Sequence, residues 1–86
     1  MDIRREIINC LENVGILIDP SLEDVNINDY DVDSITFISF IVDIEKVFNI
    51  EIPDGLLYKQ VLQSLNGFVS LVEELIESNA QNSVND

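Results

Sequence analysis

Asp33-Ser34-Ile35-Thr36-Phe37-Ile38-Ser39-Phe40-Ile41-Val42-Asp43-Ile44-Glu45-Lys46-Val47-Phe48 is the stretch on which the fold turns. At 100° per residue, Phe37, Phe40, Ile41, Ile44 and Phe48 gather on one side of a helix, a stripe broad enough to face a core. Ile35, Ile38 and Val42 fall at i, i+3 and i+7 on the opposite side. Ser34 is a good N-cap type after the polar turn Asp31-Val32-Asp33, so the helix is expected to run from Ser34 to about Phe48. So small a bundle cannot easily cover both stripes. Either the helix is central and covered on two sides, or Ile35, Ile38 and Val42 form an exposed apolar patch beside Ser34, the mark of a partner-docking surface. Thr36, Ser39, Glu45 and Lys46 give that patch a nearly uncharged rim, so docking there would lean on apolar burial more than on charge.

Upstream, residues 3–14 read as an amphipathic helix, with Ile3, Ile7, Cys10, Leu11 and Val14 in one arc and Gly15 as its stop. Cys10 lies on the apolar face and reads as a buried structural thiol. Residues 16–33 form a long connection broken by Pro20. Ile16, Leu17, Ile18, Leu22, Val25, Ile27 and Tyr30 would pin it against the core, and Ser21-Leu22-Glu23-Asp24 has the form of a cap for a short turn. Connections this long in a compact domain are uncommon and often functional. Downstream, Pro53 and Gly55 break the chain, a short helix is expected around Leu56–Leu62, and a last helix begins after Ser64. That helix carries Leu65, Phe68, Val69, Val72, Leu75 and Ile76 on one face, with Glu73, Glu74 and Glu77 outside it. The expectation is an all-α four-helix bundle of three longer helices and one short one, with a long loop between helices one and two. It occupies residues 1–78, and 79–86 is a polar tail expected to be disordered.

Composition narrows the function. The chain has 86 residues, 47% of them hydrophobic, enough for one small folded domain. Four basic residues against seventeen acidic ones give a net charge of −13, which repels nucleic-acid phosphates and anionic lipid and attracts basic proteins. The bland reading is that this acidity only keeps the protein soluble. No apolar run is long enough to span a membrane and the N-terminal stretch is not a secretory signal, so a cytoplasmic monomer is expected. A lone cysteine makes no internal disulfide. With no histidine, no Ser-His-Asp triad, Cys-His pair or His-bound metal site can be built. No catalytic residue is assigned.

Asp33-Ser34-Ile35, the apolar helix ending in Glu45-Lys46-Val47-Phe48, and then Asn49-Ile50-Glu51-Ile52-Pro53-Asp54 together resemble the acyl carrier protein and peptidyl carrier protein superfamily. Its members carry an Asp-Ser-Leu or Asp-Ser-Ile motif followed by a helix ending in Glu-x-x-Phe-x-(Ile/Val)-x-Ile-Pro, and the spacing from Ser34 to Pro53 agrees without a gap. The resemblance covers roughly residues 2–78. It implies that a phosphopantetheinyl transferase, using coenzyme A and Mg²⁺, joins 4′-phosphopantetheine to Ser34, with Asp33 helping the transferase recognise its target. The arm would carry an acyl or aminoacyl thioester from a loading enzyme to downstream synthase enzymes of fatty-acid, polyketide or nonribosomal-peptide type, with helix two as the element they read. A phosphodiester at Ser34 would sit where helix N–H groups and the dipole favour negative charge, opposed by Asp29, Asp31 and Asp33.

Several residues depart from the pattern. Many members have a glycine two positions before the motif aspartate, where this chain has Asp31, a residue that tolerates positive φ. Thr36, Ser39 and Lys46 stand where fatty-acid carriers usually place acids, so helix two looks more like that of a peptidyl or specialised-pathway carrier. Phe37 and Phe40 are bulky for positions that line an acyl pocket in some relatives, which favours small or aminoacyl cargo. Two rivals remain. Asp29, Asp31 and Asp33 have the spacing that opens an EF-hand loop, but Ser34 and Phe40 stand at its glycine and closing glutamate positions, so no metal site is assigned. The other rival is a non-catalytic helical adaptor that docks partners through Ile35, Ile38 and Val42, with Ser34 only a helix cap.

Overall fold

A computed structural model describes the backbone of residues 2–53 and 59–85. Among these residues the chain is all-helical, with α1 over Ile3–Asn13, α2 over Ser34–Phe48, α3 over Leu65–Asn85, and two short 3₁₀ turns at Ile27–Tyr30 and Lys59–Leu62. No strand occurs among them. The short helix expected around Leu56–Leu62 is represented by the Lys59–Leu62 turn, and its earlier part lies outside the described residues. α3 runs on past residue 78, where the sequence led us to end it. Residues 79–85 contain neither glycine nor proline to stop a helix.

α1 forms because its ends are well closed. The Asp2 carboxylate accepts the Arg5 N–H at 3.2 Å, satisfying one of the free amides at the start. At the other end Gly15 takes φ +91°. Its N–H donates to the Glu12 carbonyl at 3.0 Å and the Ile16 N–H donates to the Leu11 carbonyl at 2.8 Å. This paired closure needs a left-handed residue after the helix, which glycine adopts freely. Leu11 and Ile16, now adjacent, are both buried.

The core is continuous. Ile7, Ile8, Cys10 and Leu11 from α1 meet Phe40, Ile41 and Ile44 from α2, and Leu65, Phe68 and Val72 from α3. α1 packs against both other helices, and α2 meets α3 through the rings of Phe40 and Phe68, whose centroids are 5.2 Å apart. The long loop contributes Ile16, Ile18 and Ile27 to the same core, with Val25 and Tyr30 half-buried. Leu17 and Leu22 instead point outward. Ser21 does not cap a turn as expected; its N–H and hydroxyl both bond Asp19. The capped turn lies later, at Ile27–Tyr30, where Asn26 accepts the Asn28 N–H.

The loop is held at the start of α3 by Asp24. One carboxylate oxygen accepts the Ser64 hydroxyl at 2.7 Å and the other accepts the Asn66 N–H at 3.0 Å. The Leu65 N–H donates to the Val25 carbonyl and the Gly67 N–H to the Ser64 hydroxyl oxygen. All of the first three amides of α3 therefore have partners. Arg4 extends the clamp, donating to the Leu22 and Pro20 carbonyls and the Asn66 side chain.

The Ser64 hydroxyl, followed by the Asn66 N–H, holds the Asp24 carboxyl below its ordinary pKa of 3.8. A carboxyl whose pKa is depressed on folding contributes stability that is complete above the unfolded value and lost as pH falls through the folded one. The wild type is therefore expected to lose this contribution below pH 3.8, while Asp24→Asn has a lower Tm at neutral pH and a smaller further drop in acid. Thermal melts of both proteins across that range decide it; parallel curves would show that the clamp adds nothing.

Candidate functional site

The end of α2 that the motif occupies is built on two unusual residues. Asp31 adopts φ 57°, ψ 51°, the left-handed conformation that aspartate tolerates better than most non-glycine residues. The turn that a glycine would otherwise make is thus kept. Asp33 then caps the helix, its carboxylate accepting the Thr36 N–H at 2.7 Å and its carbonyl the Phe37 N–H at 2.9 Å. Hydrogen bonds from the Thr36 N–H, then the Thr36 hydroxyl, hold the Asp33 carboxyl below its ordinary range, with Ile35 N–H adding to them. This corrects the expectation that Ser34 is the N-cap. Ser34 is the first residue inside the helix, exposed, and Asp33 does the capping.

The two faces of α2 separate as the wheel suggests. Phe40, Ile41 and Ile44 are buried, with Phe37 and Phe48 half-buried against them. On the other side Ile35 is 78% exposed, Ile38 61% and Val42 38%. The helix is therefore not covered on both sides. Lys46 is exposed on the same face.

At the foot of Ser34 opens a cleft of about 300 Å³. Val32, Phe37, Ile38 and Leu62 form its apolar walls, with Asn28 and Asp33 as polar neighbours. Of these, Asn28, Val32 and Leu62 were not expected at the site. They come from the loop, the pre-helix turn and the Lys59–Leu62 turn, and nothing in their spacing marks them. The 3₁₀ turns at Ile27–Tyr30 and Lys59–Leu62 pack against each other and so bring Asn28 and Leu62 to the same place. Asp29, Asp31 and Asp33 do not converge, and among the described residues no cluster of three or more acidic or thiol groups has the placement to hold a metal.

The far end of α2 explains the second half of the motif. Asn49 takes φ 53°, ψ 51°, and the Ile50 N–H bonds back to the Glu45 carbonyl at 3.1 Å. The Glu45 carboxylate accepts the Ile52 N–H at 2.8 Å. Glu45 thus holds the segment leading to Pro53 from both its backbone and its side chain, with Ile50 and Ile52 buried.

The family model described as phosphopantetheine attachment site matches residues 5–72 of the chain. The chain belongs to that family. No curated protein and no solved structure matches it. Membership makes this a phosphopantetheine-carrying domain, with 4′-phosphopantetheine as its covalent cofactor. Carrier domains of this kind are generally non-catalytic and work with a phosphopantetheinyl transferase and with synthase enzymes. The residues present fit the arm: an exposed hydroxyl stands at the start of a helix, with an apolar cleft beside it. The helix amides offer a phosphodiester less than the sequence suggested, because Asp33 already takes the Thr36 N–H. No described helix is long and apolar enough to cross a membrane.

Proposed function

We propose that Ser34 is the residue that carries the phosphopantetheine arm, and that this protein presents acyl or aminoacyl groups to partner enzymes. The observation that carries the reading is the division of labour at the start of α2. Asp33 caps the helix, which leaves the Ser34 hydroxyl exposed and without that structural duty. The arm supplies a terminal thiol that holds cargo as a thioester; this chain supplies the attachment oxygen, the rigid helix beneath it and a surface for partners to read. Tethering raises the local concentration of cargo, so brief docking suffices. With Asp33 beside it, Ser34 is also the serine a transferase would select. The intact mass of the protein after incubation with coenzyme A, Mg²⁺ and a broad-specificity transferase tests the reading. A gain of one phosphopantetheine supports it, whereas no gain on a folded protein, with several transferases, would leave a helical adaptor.

Ile35, Ile38 and Val42 form the docking face in this reading, because an exposed apolar strip beside the attachment residue is what a partner must cover. Ile38→Asp is expected to leave the helical circular dichroism unchanged, since Ile38 is 61% exposed. The same change should lower kcat/KM for arm transfer by about tenfold or more, as loss of a central apolar contact costs over about 1.4 kcal/mol. Ile41→Asp, on the buried side, should collapse the fold. Equal transfer rates for Ile38→Asp and wild type would remove the patch from the account.

The four-helix arrangement, with a short helix around Leu56–Leu62, belongs to the same proposal, as does a monomeric cytoplasmic carrier domain within residues 1–78. The neutral Thr36 and Ser39 and the basic Lys46 along α2 favour a peptidyl or specialised-pathway carrier over a fatty-acid one.

A further inference from the structure

The cleft at Ser34 is contiguous with the attachment residue itself, since Ser34 and Asp33 are part of its lining. On a flexible arm, the atoms that fill such a cleft at least entropic cost are those a few bonds from the serine oxygen, because every further bond adds freedom that must be frozen. In phosphopantetheine those atoms are the phosphodiester and then the pantoyl unit, a quaternary carbon bearing two methyl groups next to a hydroxyl and an amide. The thiol and its cargo lie at the far end. The walls match the pantoyl unit in character: Val32, Phe37, Ile38 and Leu62 offer apolar surface, while Asn28 and Asp33 set a polar edge.

Deeper in the bundle the way is closed. Leu62, one of the lining residues, is 1% exposed, and Phe40 and Phe68 are each 1% exposed with their rings in contact. An extended chain entering from the thiol end would have to push these side chains apart, and close-packed interiors resist such a change. A second groove, beside α1, is lined among others by Arg4, Arg5 and Glu12, and Arg4 is already committed to Pro20, Leu22 and Asn66.

We infer that the cleft formed by Val32, Phe37, Ile38 and Leu62 is a seat for the pantoyl segment of the arm, not for the cargo. This rests on Ser34 being the attachment residue. The geminal methyl groups occupy the apolar walls, the arm is partly immobilised at its root, and the thioester projects into solvent whatever its acyl group. A carrier built this way presents short and long cargoes from the same starting position.

The test uses the full chain, labelled with ¹³C and ¹⁵N and loaded by a broad-specificity transferase from coenzyme A, acetyl-coenzyme A or dodecanoyl-coenzyme A. Intact mass establishes loading first. Nuclear Overhauser contacts are then sought from the two pantoyl methyl groups to the Phe37 ring and to the methyl groups of Val32 and Leu62. The expected result is the same set of contacts with all three loads, and none from the dodecanoyl chain. In Ile38→Asn, loaded by longer incubation, the pantoyl contacts should weaken or vanish while the backbone spectrum away from the cleft is retained. Dodecanoyl contacts that replace the pantoyl ones would overturn the proposal and make the cleft a cargo site. A fully loaded protein showing no contact from any part of the arm would overturn it too, leaving the carrier reading intact. Absence of loading would instead remove the reading on which the seat depends.

Discussion

Ser34→Ala is expected to abolish arm attachment completely while leaving the protein folded. The mass of the variant should not change under conditions that convert the wild type, because no other serine shares its setting. Ser21 is tied to Asp19 and Ser64 to Asp24 and Gly67. The substitution removes an exposed hydroxyl whose helix is capped by its neighbour, so the change in stability should stay within about 0.5 kcal/mol, a shift of roughly 2–4 °C in Tm at most. Asp33→Ala is the informative partner. It removes the cap, so Tm falls, while the Ser34 hydroxyl remains and loading is slowed and not lost. A Ser34→Ala protein that melts far below wild type would return Ser34 to a structural role; one that still gains the arm would move the attachment elsewhere.

The second large effect concerns stability. Phe68 is 1% exposed and its ring lies against Phe40, 5.2 Å between centroids, where α3 meets α2. Truncating a buried phenylalanine costs about 3–5 kcal/mol, through lost burial and the cavity left behind. A domain of this size has a total stability on the order of 4–13 kcal/mol. Phe68→Ala should therefore lose about a quarter or more of the total stability, with the denaturation midpoint lowered in proportion, and at the lower end of that stability range it should be largely unfolded at ~37 °C. Phe68→Leu, which keeps most of the volume, should recover most of the loss. Urea titrations of the three proteins measure this directly. A midpoint for Phe68→Ala close to wild type would mean that the core closes around the gap.

The helices could be read from the sequence because burial leaves a period. Phe40, Ile41, Ile44, Phe68 and Val72 recur at helical spacing and are buried, and Ile35 and Ile38 keep the same spacing on the exposed face. What escaped were pairings without a period. Asp24 meets Ser64 and Asn66 across about forty residues of chain, and no local pattern announces such a bond. Leu62 and Val32 became walls of the cleft only because two 3₁₀ turns pack together. The capping residue was missed for another reason. Aspartate and serine are almost equally good caps, so Asp33-Ser34 is ambiguous by one position. That one position separates a serine that holds the helix from a serine that is free to be modified. Glu45 was visible as part of a motif, while its work, holding Ile50 and Ile52, required the fold.

Cys10 sits in the middle of the core at 1% exposure, and burial, reinforced by Asp43 and Glu6, pushes its thiol up to about 11. Thioester exchange and disulfide formation both require a thiolate, and at pH 7 a thiol with that pKa is ionised in only about one molecule in ten thousand. An ordinary exposed cysteine, with a pKa near ~8.5, would be ionised in a few per cent of molecules. For the thioester carrier proposed above, this removes an internal competitor: buried and protonated, Cys10 would neither strip cargo from the arm nor cross-link with the arm when it is empty.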